Sequence, residues 1–176
     1  MKGGLGSSQA NLEIQQSVNG INEDFDNQLS LRLGFEAEFL FPFSKNKWSF
    51  FIQPLYQSYT ANRILSLPTQ DVNIDYKSVE TTLGIRHYSF LTDTSKLFFN
   101  AGIIVDSPIN SGIAFEIRSD LEIETQSAFN LGLGYTFNNK YSIEANYTAS
   151  RQLITNFARI SSKYTNFSVI LGYRIF

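Results

Sequence analysis

Apolar and polar residues alternate with a period of two along nearly the whole chain, a period that suits half-buried strands and not amphipathic helices. From Leu29 to Phe43 the odd positions are Leu29, Leu31, Leu33, Phe35, Ala37, Phe39, Phe41 and Phe43. The even ones include Ser30, Arg32, Gly34, Glu36 and Glu38. Lys140 to Ser150 repeats the pattern, with Tyr141, Ile143, Ala145, Tyr147 and Ala149 on one side, and so does Ser127 to Phe137, with Phe129, Leu131, Leu133, Tyr135 and Phe137. Trp48 to Tyr59, Val79 to Leu91, Leu97 to Asp106 and Tyr164 to Phe176 alternate less strictly, and a Gly-rich stretch from Gly3 to Leu12 completes eight predicted strands.

The connections come in two kinds. Ser44 to Lys47, Thr92 to Lys96 and Asn138 to Lys140 are short and rich in turn-forming residues. Gln15 to Gln28, Thr60 to Lys77, Ser107 to Gln126 and Arg151 to Lys163 are long. Short and long alternate, so an up-and-down barrel would gather the turns at one end and the loops at the other.

With 176 residues the chain suits one domain, residues 1–176. A net charge of -2 argues against nucleic acid. No Cys and a single His, His87, remove zinc spacings, disulfides and thiol nucleophiles, so neither a metal nor another cofactor is expected. Charged residues make up 17%, below the roughly 25% usual for soluble domains, while aromatics reach 15%. No apolar run approaches the length of a transmembrane helix and no signal peptide opens the chain, so an exported chain would have had its signal removed.

An eight-stranded barrel is apolar inside when it carries ligands in solution and apolar outside when it spans an outer membrane. Gly34, Gly84, Gly102, Gly132, Gly134 and Gly172 lie mid-strand on the polar face. Glycine weakens a strand unless crowding calls for it, and the crowded place is the narrow lumen. The Phe, Tyr and Leu residues of the other face are too many to fit inside and are predicted to face lipid. Phe39, Phe41, Phe43, Trp48, Phe50, Phe137, Tyr141 and Tyr173 collect near the short-turn end, as an interfacial girdle would.

The closing stretch Asn166 to Phe176 resembles the last strand of bacterial outer-membrane barrels, which commonly end in Phe. Over the whole chain the resemblance is to OmpX/OmpA-like eight-stranded barrels. It is closer still to barrel domains of Bacteroidota outer-membrane proteins, on Gly172-Tyr173-Arg174 near the terminal Phe and on Lys45 to Pro54 after a turn. Phe176 departs from the lipid-facing register of Phe167, Val169, Leu171, Tyr173 and Ile175. The resemblance implies an eight-stranded antiparallel up-and-down transmembrane β-barrel of a Gram-negative outer membrane, with short periplasmic turns and long extracellular loops. It also implies contacts with membrane lipid and lipopolysaccharide, insertion machinery that reads the C-terminal strand, and a chain that can be the C-terminal part of a longer export precursor.

Arg32, Glu36, Glu38, Glu80, Arg86, Glu144 and Arg174 fall on the lumen face. Buried charges persist when paired, so an internal salt-bridge network that plugs the barrel is expected, and a gated pore along the same charges is the rival. His87-Tyr88-Ser89 resembles the His-x-Ser of outer-membrane lipid A deacylases. Its strand, however, runs toward the short-turn end, and no Glu stands on the outward face of a neighbouring strand to orient an imidazole. Glu23, Asp24, Asp26, Asp71 and Asp75 lack calcium-loop spacing, and the sequons at Asn146 and Asn166 lie inside strands. In Ile113 to Glu124, the apolar set Ile113, Phe115, Ile117, Leu121 and Ile123 opposes Glu116, Arg118, Asp120, Glu122 and Glu124, and a turn at Arg118-Ser119-Asp120 would fold it into a hairpin. Such a hairpin either offers an edge to a partner or packs on the other loops. The expected function is non-enzymatic: a membrane-anchored structural or binding protein that meets an extracellular protein or glycan through its loops. A small pore and a lipid-modifying enzyme are the alternatives.

Overall fold

The computed structural model describes residues 1–14, 21–24, 28–66, 69–109, 112–115, 118–122, 125–154 and 160–175. Among the described residues twelve strands form one antiparallel sheet: β1 (Lys2–Ile14), β2 (Ile21–Asp24), β3 (Gln28–Gly34), β4 (Ala37–Leu40), β5 (Trp48–Ser66), β6 (Thr69–Phe90), β7 (Lys96–Pro108), β8 (Gly112–Phe115), β9 (Arg118–Glu122), β10 (Gln126–Phe137), β11 (Tyr141–Ile154) and β12 (Ile160–Tyr173). Pairing runs β1, β3 with β4, β5, β6, β7, β10, β11 and β12, and β12 returns to β1 with Lys2 opposite Gly172. That circuit is an eight-walled up-and-down barrel, the architecture the alternation predicts.

The second wall is divided between β3 and β4 by a proline on its neighbour. Phe35 N–H donates to the Pro54 carbonyl at 3.1 Å. The return bond needs an amide hydrogen that proline lacks. Register nevertheless continues, with Gly34 opposite Leu55 and Ala37 opposite Ile52. At the short-turn end Asn138 and Asn139 both take φ of 52°, a left-handed conformation that asparagine tolerates better than most residues.

Strand enters the stretches expected as loops: β2 lies within 15–28, β5 and β6 extend into 60–77, and the ends of β11 and β12 lie within 151–163. β5 and β6 stay paired from Trp48 opposite His87 out to Ser66 opposite Thr69, over the described residues of the predicted loop Thr60 to Lys77. Val72, Ile74 and Tyr76 prolong the alternation there, and nothing in the stretch breaks a strand before Pro68. The predicted 113–124 hairpin exists as β8 and β9, docked by β8 on β6, but its reversal is placed differently. Arg118 stands opposite Phe115, and Arg118, Ser119 and Asp120 are strand rather than the predicted turn. A register shift between Ile113 and Phe115 then sets Ile113 opposite Leu121. Ile117 and Ile123 lie outside the described residues, as does Phe176.

Inward and outward positions alternate as the period requires. Leu29, Leu31, Leu33, Leu131, Leu133, Ile143, Val169 and Leu171 are exposed on the outer surface. Polar residues such as Ser30, Arg32, Gln53, Gln57, Asn130 and Asn146 are buried in the lumen. The outside of the barrel is an apolar belt and its inside is a polar core.

Candidate functional site

Lumen charges divide into two tiers. In the tier nearer the short turns, Arg86 from β6 meets Glu36, which sits in the gap between β3 and β4, through a two-pronged contact at 2.8 and 2.7 Å. Lys2 from β1 lies 2.8 Å from the same carboxylate and 2.5 Å from Glu144 on β11. Asn100 on β7 links them, accepting from Arg86 Nε at 2.6 Å and donating to Glu144 at 2.6 Å. The Arg86 guanidinium also lies between two rings, 4.8 Å from the Phe51 centroid and 4.5 Å from that of Phe98. Stacking on aromatic faces and a fork matched to a carboxylate are what arginine offers and lysine does not.

Glycine makes room for those rings. A Cβ on Gly84 would sit 2.7 Å from the Phe51 ring, and one on Gly134 would sit 2.2 Å from that of Phe98. Gly84 and Gly134 are thus places where a large lumen side chain crosses a neighbouring strand.

The second tier lies toward the long-loop end. Arg32, 2% exposed, donates to Glu80 at 2.5 Å and to Gln57 at 2.8 Å, and Ser168 accepts from it at 3.3 Å. Gln57 passes the chain on by donating to the Tyr164 hydroxyl at 3.2 Å. Tyr164 packs edge-on against Tyr59 and Tyr76, with centroids 5.6 and 5.1 Å apart, and Tyr76 donates to Asp106. All three tyrosines are fully buried. They form an aromatic plug across the lumen, above the Arg32 tier. Beyond it, exposed Lys77 donates to Asp75 at 2.9 Å, a bond that holds its ammonium above the ordinary lysine range.

Below the first tier the lumen widens into a vestibule of about 510 Å³ that opens among the short turns. Glu38 lies on its wall, accepting hydrogen bonds from Ser49 at 2.6 Å and from Tyr88. Arg86 and Arg174 lie 3.5 and 3.7 Å from Glu38. Lys96 presents its ammonium to the Tyr88 ring, 3.7 Å from the centroid.

Of the seven charges read as one network, Arg32 and Glu80 form a separate pair, while Glu36, Glu38, Arg86 and Glu144 share the lower tier. Arg174 stands half-exposed at the mouth rather than within the lumen. Lys2, Lys96 and the plug tyrosines were not anticipated. Lys2 precedes a stretch too rich in glycine to show a phase, and tyrosine reads equally as girdle or as core. The aromatics read as a girdle do point outward: Phe39, Phe43, Trp48, Phe50, Phe137, Tyr141 and Tyr173 are exposed and Phe41 is half-buried. His87 faces outward and packs edge-on against Trp48 with centroids 4.6 Å apart. Outward positions beside it on β5 and β7 are Trp48, Phe50, Leu97 and Phe99, none of them acidic.

This fold is the eight-stranded up-and-down barrel found in small outer-membrane proteins. A particular example is the outer membrane protein OprG from Pseudomonas aeruginosa, which is similar with a TM-score of 0.54 and 14% identity over 98% of this chain and 91% of that one. Neisserial surface protein A gives a TM-score of 0.45 at 12% identity over 97% of both chains, and Ail of Yersinia pestis 0.41 at 16% over 98% and 97%. No protein-family model and no curated protein matches the chain.

Proposed function

We propose that the chain is a non-enzymatic integral barrel of a bacterial outer membrane, closed along its lumen, that acts as a membrane-anchored structural or binding protein through its long-loop end. One observation carries the reading: an apolar belt encircles the outside while charge and glycine fill the inside. In water such a belt would far exceed the few hundred Å² of contiguous apolar surface a soluble monomer tolerates. The long-loop end then faces the outside of the cell and the short turns face the periplasm, the usual arrangement of such barrels. There β8 and β9 offer a sheet edge to which an extracellular protein could add a strand. A surface glycan, lipopolysaccharide around the belt and the insertion machinery at β12 are the other partners in this reading.

Detergent-refolded protein is expected to migrate faster on a gel before boiling than after, and to precipitate once detergent is withdrawn. A monodisperse, detergent-free chain would refute the proposal. The pore alternative rests on the same lumen, but the tyrosine plug and the paired tiers favour a closed one. Catalysis at His87 has no orienting acid beside it, and unaltered lipid A and phospholipid after incubation with refolded protein are expected.

A further inference from the structure

The vestibule has a property that neither the anchoring role nor the lumen plug requires: an excess of uncommitted positive charge. Five cations line it, Lys2, Arg86, Lys96, Lys140 and Arg174, against the two carboxylates of Glu36 and Glu38. Both carboxylates are already engaged. Glu36 is held by Lys2, Arg86 and Gln53, and Glu38 by Ser49, Tyr88 and the two arginines near it. Counting Glu144 behind Lys2 still leaves two cations in excess.

Lys96 is the sharpest case. It is 7% exposed, yet its contacts are the faces of Tyr88 and Phe90, and none of the described carboxylates pairs with it. Placing an ammonium on a cavity wall without an anion is costly, because a buried charge is ordinarily compensated by a partner. The aromatic faces orient it, and the carboxylate whose charge reaches it, Glu38, is already shared with Arg86 and Arg174. At about 510 Å³ the space is that of a small-molecule site, and walls of one net sign concentrate ions of the other. The tiers above close the far side, so the cavity is entered from the short-turn face and does not lead through.

We propose that this vestibule reversibly binds a small water-soluble oxyanion, a compound carrying carboxylate or phosphate groups, with Lys96 as the central contact and Lys140 and Arg174 at the mouth. The chemistry is charge-assisted hydrogen bonding from ammonium and guanidinium groups to anionic oxygens. Such a ligand would be taken up on the face opposite the long loops, which separates this site from any partner bound there.

The test is calorimetric titration of the refolded full chain in detergent, with citrate and pyrophosphate as probes and glycerol as the uncharged control. One-to-one binding of the anions is expected, weakening with added salt, and no binding of glycerol. Lys96→Met and, in an exposed turn where folding is safe, Lys140→Gln are each expected to weaken it about tenfold, the loss of one charge-assisted contact. Lys45→Gln, outside the vestibule, is expected to bind as the parent does. Absence of saturable binding up to about 10 mM, beyond the weakest range in which a specific site is useful, would overturn the proposal. So would equal affinity in Lys140→Gln and the parent, whatever the fate of Lys96→Met.

Discussion

Arg86 grips Glu36 with both terminal nitrogens, at 2.8 and 2.7 Å, across a lumen where only 4% of the arginine side chain and 11% of the glutamate side chain are exposed. That contact joins β6 to the interrupted wall between β3 and β4, where the ladder lacks a bond at Pro54. Arg86→Met should therefore leave Glu36 with Lys2 and Gln53 as its remaining partners and destabilise the barrel by about 3–5 kcal/mol, the cost of breaking a buried pair from one side. Adding Glu36→Gln should recover part of the loss. Equilibrium urea unfolding in lipid vesicles for the two single variants and the double one checks this, and additive losses would show the contact to be idle.

Gly134 gives a packing prediction. Alanine there would put its Cβ 2.2 Å from the Phe98 ring and 2.8 Å from the Ile143 carbonyl oxygen. The ring could shift, but it flanks Arg86, and the carbonyl belongs to a paired strand. Gly134→Ala is expected to lose roughly 1–3 kcal/mol, the range for overpacking. Phe98→Leu should relieve only the ring half of that clash, so the double variant should fall between the parent and Gly134→Ala in the same unfolding measurement.

The fold was legible because one sequence rule, the period of two, governs every wall of the barrel. Leu29 to Phe39 shows it fully, since its odd positions are all apolar and its even ones are polar or glycine. Trp48 to Tyr59 shows it poorly, because Phe51, Leu55 and Tyr59 fill the lumen while Phe50, Ile52 and Tyr56 face out. Both faces are apolar there, and periodicity cannot rank them. The charged pairs were legible as a set but not as partners. Which acid meets which base depends on lateral register between strands distant in sequence, such as Lys2 with Glu144. The predicted loop at 60–77 failed for a different reason: polar strand residues beyond the apolar belt resemble loop in composition, though the pairing continues.

The tyrosine plug predicts silence in an electrical recording. Tyr59, Tyr76 and Tyr164 are fully buried and edge-packed, and Gln57 ties Tyr164 to the Arg32 tier. The parent protein in planar bilayers should show no stepwise conductance. Tyr76→Ala with Tyr164→Ala removes two of the three rings and should produce small, frequent openings. Conductance by the parent equal to that of the double variant would mean that the rings do not close the path.

Orientation of the belt is tested most directly by charge on either side of one strand. Leu131 lies in the middle of β10, exposed outward, with Asn130 beside it buried in the lumen. Arginine at an outward position near the centre of the hydrocarbon should cost about 2–4 kcal/mol, and near the interface about 1 kcal/mol or less. Leu131→Arg is thus expected to lower unfolding stability in vesicles several-fold more than Tyr141→Arg, which sits at the short-turn end beside Asn138 and Asn139. A soluble barrel with its belt in water would be indifferent to both, since a charge added to a wet surface changes stability little. The difference between the two variants, rather than either alone, separates a belt in lipid from a belt in water.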